Sequence, residues 1–308
     1  MPNPCGGLRL MSGRMMGQAR SVHNGKPAQT PYPQVVLFGD SLFEACVDVQ
    51  DGFSFYATIQ KHCLRRYDVV NRGFSGYNTS QALKIAEDIF PEPGPGTPKM
   101  KYLIVLLGAN DAAIQLDDDN QGVPLEQYKA NLARLVAHPR VAAHGAKVLV
   151  VTPPPLDEIR RAELDTPQYG RAVREQARSA AYSQAAREVA AEAKEKAAET
   201  GAGAGAVVCV DLAKALMDHA VANTTGWDAS QPPLGSAAAG GRRGYLEKLL
   251  PDGLHMSGEA YRVLWGLIEP EIEPRFPNEN TEGYVWPGWR EAPWLEPGQS
   301  VLEKNALR

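Results

Sequence analysis

The chain of 308 residues carries 32 basic and 36 acidic side chains for a formal net charge of −4, and is 44% hydrophobic and 22% charged. That balance is ordinary for a globular protein and gives no electrostatic footprint for nucleic acid. No run approaches the roughly 18–20 apolar residues of a membrane span. Cys5, Cys46, Cys63 and Cys209 form no Cys-x-x-Cys, which argues against a structural zinc site or a disulfide framework and fits a reducing compartment.

In chain order, residues 1–39 hold no Asp or Glu, while Arg9, Arg14, Arg20 and Lys26 are basic. Residues 1–33 read as a flexible extension, and a disordered tail is favoured over a mitochondrial transit peptide. Short, mostly continuous apolar runs follow at 35–38, 68–70, 102–107, 147–151 and 206–210. Continuous runs suit strands buried on both faces. Between them, helical patterns cover 53–66, 80–90, 125–137, 171–200 and 212–222. Such alternation predicts a three-layer α/β/α fold with a mainly parallel five-stranded sheet.

The Ala-rich helix places Tyr182, Ala186, Val189 and Ala193 at helical spacing, with Gly201 as a stop. Residues 91–99 form a Pro/Gly linker. Residues 223–244 are Gly-, Ala- and Pro-rich without periodicity and read as a long flexible loop. Near the end, Ser257 is placed to cap a helix whose Tyr261, Leu264 and Ile268 share a face, with Pro270 as its stop. The Trp- and Pro-rich segment 277–308 is expected to pack back on the body, because exposed Trp is costly.

In an open parallel sheet, ligands bind beyond the carboxyl ends of the strands. The residues there are Gly39-Asp40-Ser41-Leu42, then Asn71 to Thr79, Gly108-Ala109-Asn110-Asp111, Thr152-Pro153-Pro154-Pro155 and Asp211. Ser41 at a strand-to-helix turn is a candidate nucleophile. On local sequence alone, helix N-cap is the commoner role for a serine there. A nucleophile needs a base, and the six histidines are His23, His62, His138, His144, His219 and His255. Only His255 follows an aspartate by three, in Asp252-Gly253-Leu254-His255, inside a loop that enters a helix. That spacing lets Asp252 hold one imidazole nitrogen and leaves the other facing a nucleophile. Acyl transfer also needs donors for an oxyanion, which the Ser41 amide, the Gly76 amide and the Asn110 side chain could supply. Taken singly, Gly76 also suits an ordinary turn and Asn110 an Asx turn.

Together these residues resemble the SGNH (GDSL-type) serine hydrolases. Gly39-Asp40-Ser41-Leu42 carries the four eponymous letters. Asn71 with Gly76, then Gly108-x-Asn110-Asp111, then Asp252-x-x-His255 follow in the family's order. Asn71 through Thr79, the Thr152-Pro153-Pro154-Pro155 run and Asp252 through Ser257 are most similar to the isoamyl acetate-hydrolysing esterase group. The resemblance implies a flavodoxin-like sheet, a Ser41–His255–Asp252 triad, and an oxyanion hole of Ser41, Gly76 and Asn110. It implies a single hydrolase domain at 34–276 acting on small short-chain esters, with no cofactor and no metal. The implied setting is cytoplasmic, and the partners are a small ester substrate, with no nucleic acid and no membrane span; a homo-oligomer is compatible with it.

Other readings share the same residues: a carbohydrate O-acetylesterase, a lysophospholipase or thioesterase, or a silent binding module on this fold. A wide polar cleft would favour the sugar ester and a long apolar groove the lipid. Gly-x-Ser-x-Gly, a phosphate loop and His-Glu-x-x-His are all absent. The run Asp117-Asp118-Asp119 reads as a solvated loop.

Overall fold

The computed structural model describes residues 31–116, 121–200, 206–275 and 281–286. The extension 1–30, the acidic run at 117–119, and the tail beyond 286 with Trp289 and Trp294 lie outside the described residues. Five strands, β1 (Gln34–Gly39), β2 (Asp68–Gly73), β3 (Met100–Leu106), β4 (Lys147–Val151) and β5 (Val207–Val210), form one sheet in the order β2-β1-β3-β4-β5. Every pairing in it is parallel. Alternate residues of β1 enter opposite cores, Val35 and Leu37 on one face and Val36 and Phe38 on the other. Both faces are therefore apolar, which is why the strands read as unbroken hydrophobic runs.

The helices are α1 (Ser41–Glu44), α2 (Phe55–Cys63), α3 (Thr79–Ile89), α4 (Leu125–Val136), α5 (Pro139–His144), α6 (Glu158–Tyr169), α7 (Gln176–Thr200), α8 (Leu212–Ala222), α9 (Leu246–Leu249) and α10 (Gly258–Ile268). One core gathers side chains of α1, α2, α8, α9 and α10, the other those of α3, α4, α5 and α7. This is the expected α/β/α sandwich. The chain leaves β1 toward β2 on one side and reaches β3 on the other. The strand order therefore reverses between β1 and β3, the crevice where such sheets hold ligands.

Three differences from the sequence expectations have physical causes. The helix expected at 171–200 begins at Gln176, and a separate α6 precedes it. Only Asp165 of α6 is buried and Pro167 lies inside it, so α6 carries no apolar stripe to read. The left-handed Gly170 closes α6. Next, α5 spans only six residues, too short for periodicity, and is set by its ends: His138 as N-cap, Pro139 in the first turn and left-handed Gly145 at the close. Finally, β2 runs on through Asn71, Arg72 and Gly73, so Asn71 lies within the strand opposite Leu37 rather than in the loop beyond it.

The stretch 223–244 has no regular element, yet it is fastened rather than loose. Trp227 Nε1 donates to Pro232 O at 3.1 Å, Gly235 N to Arg242 O at 2.8 Å, and Leu234 is fully buried. Arg243 Nε reaches the buried Asp157 carboxylate at 2.6 Å. Of the C-terminal segment, residues 281–286 contact the loop after α2: Val285 N donates to Arg65 O at 2.9 Å, and the Tyr284 ring lies under the guanidinium groups of Arg65 and Arg66. The expected face of α7 is also in place, with Tyr182, Ala186 and Val189 buried and Ala193 against the same core.

Candidate active site

Ser41 is the first residue of α1, not its cap. The cap is Asp40, whose Oδ1 accepts the Leu42 N–H at 2.9 Å. As a first-turn residue, Ser41 has no intrahelical acceptor for its own N–H. This turn is tight because two glycines allow it. A Cβ on Gly39 would sit 2.5 Å from Leu106 O, and one on Gly73 would sit 2.1 Å from Glu44 N. Asn71 then braces α1 from β2, donating Nδ2 to Phe43 O at 2.8 Å.

The other end of the chain meets this turn. Ser257 caps α10 as expected, accepting from Ala260 N at 3.3 Å. Tyr261 of α10 donates its hydroxyl to Leu42 O at 2.6 Å, which locks α10 against α1. The loop just before α10 then carries His255 to Ser41. Ser41 Oγ and His255 Nε2 are 2.9 Å apart, and His255 Nδ1 is 2.7 Å from Asp252 Oδ2. Asp252 Oδ1 accepts the backbone N–H groups of Leu254 at 2.9 Å and His255 at 2.7 Å. Partial burial opposes the charge on Asp252. The His255 hydrogen bond and these amides outweigh it and hold the carboxyl well below the usual carboxylate range. Arg161 Nη1 lies 3.7 Å from the same carboxylate.

The remaining described histidines are occupied elsewhere. His62 bonds Ile272 O, His144 bonds Pro91 O, His138 caps α5, and His219 pairs with Glu259.

The expected oxyanion donors come from the strands beside β1. Phe74 N donates to Gly39 O at 2.9 Å and Ser75 N to Glu44 Oε2 at 2.7 Å, so the loop after β2 is fastened to the turn that carries Ser41. Gly76 follows at φ +80°, a conformation that favours glycine, and its N–H has no acceptor among the described residues. Asn110, in the loop after β3, is 4% exposed and donates Nδ2 to Tyr77 O at 2.9 Å. The second hydrogen of that amide has no acceptor among the described residues. Sequence reasoning missed Gln121 and Arg174, which bind both loops. They come from segments with no motif of their own, and no local signal marks them.

Beneath the site lies a buried acidic pair. Asp111 accepts Thr79 N at 3.0 Å, and Asp40 Oδ2 has no hydrogen-bond partner among the described residues. Burial pushes Asp40 up to about 7, against the Leu42 N–H and helped by Asp111; burial likewise pushes Asp111 up to about 6, against the Thr79 bonds.

The triad itself is open to solvent, with the His255 side chain 44% exposed. Two clefts of about 840 and 530 Å³ flank α7, and Ser41 and His255 line neither. Among the described residues no cluster of His, Cys, Asp or Glu is placed to hold a metal ion, and no helix is long and apolar enough to cross a membrane.

A parallel sheet with a Ser–His–Asp chain of hydrogen bonds at its switch point defines an SGNH-type architecture. The chain belongs to the GDSL-like lipase/acylhydrolase family, whose signature matches residues 37–263. It is 31% identical over 234 residues to a GDSL esterase/lipase of Arabidopsis thaliana, covering 76% of this chain and 82% of that one. It is 37% identical over 144 residues to the isoamyl acetate-hydrolyzing esterase 1 homolog of Bos taurus, covering 46% of this chain and 55% of the relative. The match thus spans little more than half the length of that relative. The fold is similar to the lipase/acylhydrolase of Enterococcus faecalis, with a TM-score of 0.50 at 23% identity over 79% of this chain and 96% of that structure.

Proposed function

We propose that this protein is a serine esterase that hydrolyses small, short-chain, acetate-type carboxylic esters through an acyl-serine intermediate, with residues 34–276 as the catalytic unit. The observation that carries the reading is the continuous Ser41–His255–Asp252 chain of hydrogen bonds, at 2.9 and 2.7 Å. Ser41 Oγ attacks the ester carbonyl while His255 Nε2 takes its proton. Asp252, held ionised, keeps the Nδ1–H in place and stabilises the imidazolium. The Ser41 and Gly76 amides and the spare hydrogen of Asn110 Nδ2 receive the developing oxyanion. The imidazolium then protonates the leaving alcohol. Water, deprotonated by His255, releases the acid and regenerates Ser41.

The small-ester preference draws its support from the similarity to the isoamyl acetate-hydrolyzing esterase homolog. A cytoplasmic site of action is part of the reading, and the free thiols of Cys46, Cys63 and Cys209 support it. A panel of p-nitrophenyl esters of increasing acyl length tests the substrate class. The reading expects kcat/KM to be highest for acetate and to fall steadily with length. Faster cleavage of long-chain esters would replace it with a lipase or thioesterase assignment.

A further inference from the structure

A guanidinium group only donates hydrogen bonds, so an amide facing it must present its oxygen and turn its NH₂ the other way. Arg174, 6% exposed, faces two such amides. Its Nη2 donates to Asn110 Oδ1 at 3.3 Å and to Gln121 Oε1 at 2.9 Å. Both amides are thereby oriented. Asn110 Nδ2 is sent toward Tyr77 O, at 2.9 Å, and Gln121 Nε2 toward Gly76 O, at 3.2 Å. The main chain of Gln121 is tied to the same loop, because its carbonyl accepts Asn78 Nδ2 at 2.9 Å. Gly76 and Tyr77 are consecutive, so one buried cation sets the donor face of Asn110 and braces the Gly76–Tyr77 peptide, which adjoins the Gly76 N–H.

We propose that Arg174 and Gln121 are positioning residues for the oxyanion pocket: Arg174 fixes the orientation of the Asn110 amide directly and, through Gln121, that of the Gly76–Tyr77 peptide that adjoins the Gly76 N–H. The inference rests on the serine-esterase reading. Neither residue needs to touch the substrate. Arg174 also places a positive charge behind Asn110 Oδ1, which polarises that amide toward a stronger Nδ2–H donor. An oxyanion donor works only if it is aimed before charge develops, so this bracing acts on the transition state more than on the bound ester.

The test uses the full chain and three variants: Gln121→Ala, Gln121→Glu and Arg174→Lys. Gln121→Glu keeps an acceptor for Arg174 but removes the donor to Gly76 O. Arg174→Lys keeps the charge but loses the rigid planar guanidinium whose Nη2 serves both amides. With p-nitrophenyl acetate, kcat is expected to fall about 10- to 100-fold in each variant while KM stays within about twofold. Affinity for a short trifluoromethyl ketone, whose serine adduct carries the same oxyanion, is expected to weaken by the same factor as kcat. Melting curves report folding, and should Arg174→Lys not fold, the two Gln121 variants decide. Unchanged kcat and ketone affinity in folded Gln121 variants, or a loss confined to KM, would overturn the proposal and leave the esterase reading standing. A wild-type protein inert toward every ester in the panel would instead overturn the esterase reading, and this inference with it.

Discussion

The two halves of the site are built in opposite ways. The proposed relay half, Asp252 and His255, is local: the residues are three apart in one loop, and the aspartate also takes two amides of that loop. It is half open to water, with the Asp252 side chain 36% exposed. The proposed oxyanion half is assembled from distant parts of the chain: Gly76 after β2, Asn110 after β3, Gln121 before α4 and Arg174 before α7. Asn110 and Arg174 are both buried there. A local turn can orient a carboxylate and an imidazole by spacing alone. Backbone and amide donors from separate loops hold their aim only if something buried joins those loops, and a guanidinium does so with directional bonds.

Substitutions at the two halves should separate them by size of effect. Asp252→Asn keeps an oxygen for the Leu254 and His255 amides but loses the charge and the correct tautomer at His255. The expected fall in kcat is about 10³- to 10⁴-fold with little change in KM, measured on p-nitrophenyl acetate. Retention of more than a tenth of wild-type kcat would remove Asp252 from the relay. Asn110→Ala takes one donor from the other half, and kcat should fall about 10²- to 10³-fold. A drop as large as that of Asp252→Asn would mean that Asn110 does more than receive the oxyanion.

The smallest effect concerns stability. An aspartate whose pKa is raised by folding binds more protons folded than unfolded. Its contribution to stability therefore declines as pH climbs from about 4, the unfolded value, to about 7, the folded value of Asp40. Asp40→Asn retains the cap on Leu42 N and removes that dependence. The variant should melt about 2–4 °C above wild type at pH 8, on the order of 1 kcal/mol, and converge with it near pH 4. Equal melting temperatures at both pH values would place the Asp40 carboxyl in a better solvated setting than its burial implies.

The same contrast explains what the sequence made legible. The strands read as apolar runs because both faces of the sheet are covered, and the Asp252–His255 spacing reads as a relay because its geometry is set within one turn. Ser41 was harder, since a serine after a strand is most often a cap. Only the structure shows that Asp40 takes that role and leaves Ser41 Oγ for His255. Asn71 looked like a loop residue and is a strand residue that braces α1, its side chain donating to Phe43 O. Gln121 and Arg174 were invisible for a different reason: isolated polar residues in loops have no period, and their significance lies entirely in which carbonyls they meet after folding.

The most direct test of the account is to trap the acyl-enzyme. Wild-type protein quenched in acid during turnover of p-nitrophenyl acetate, then digested and analysed by mass spectrometry, should carry one acetyl group on the peptide containing Ser41. The Ser41→Ala protein, folded by its melting curve, should carry none and turn over no faster than the uncatalysed reaction. Acetylation at another residue, or undiminished turnover by Ser41→Ala, would contradict the serine mechanism.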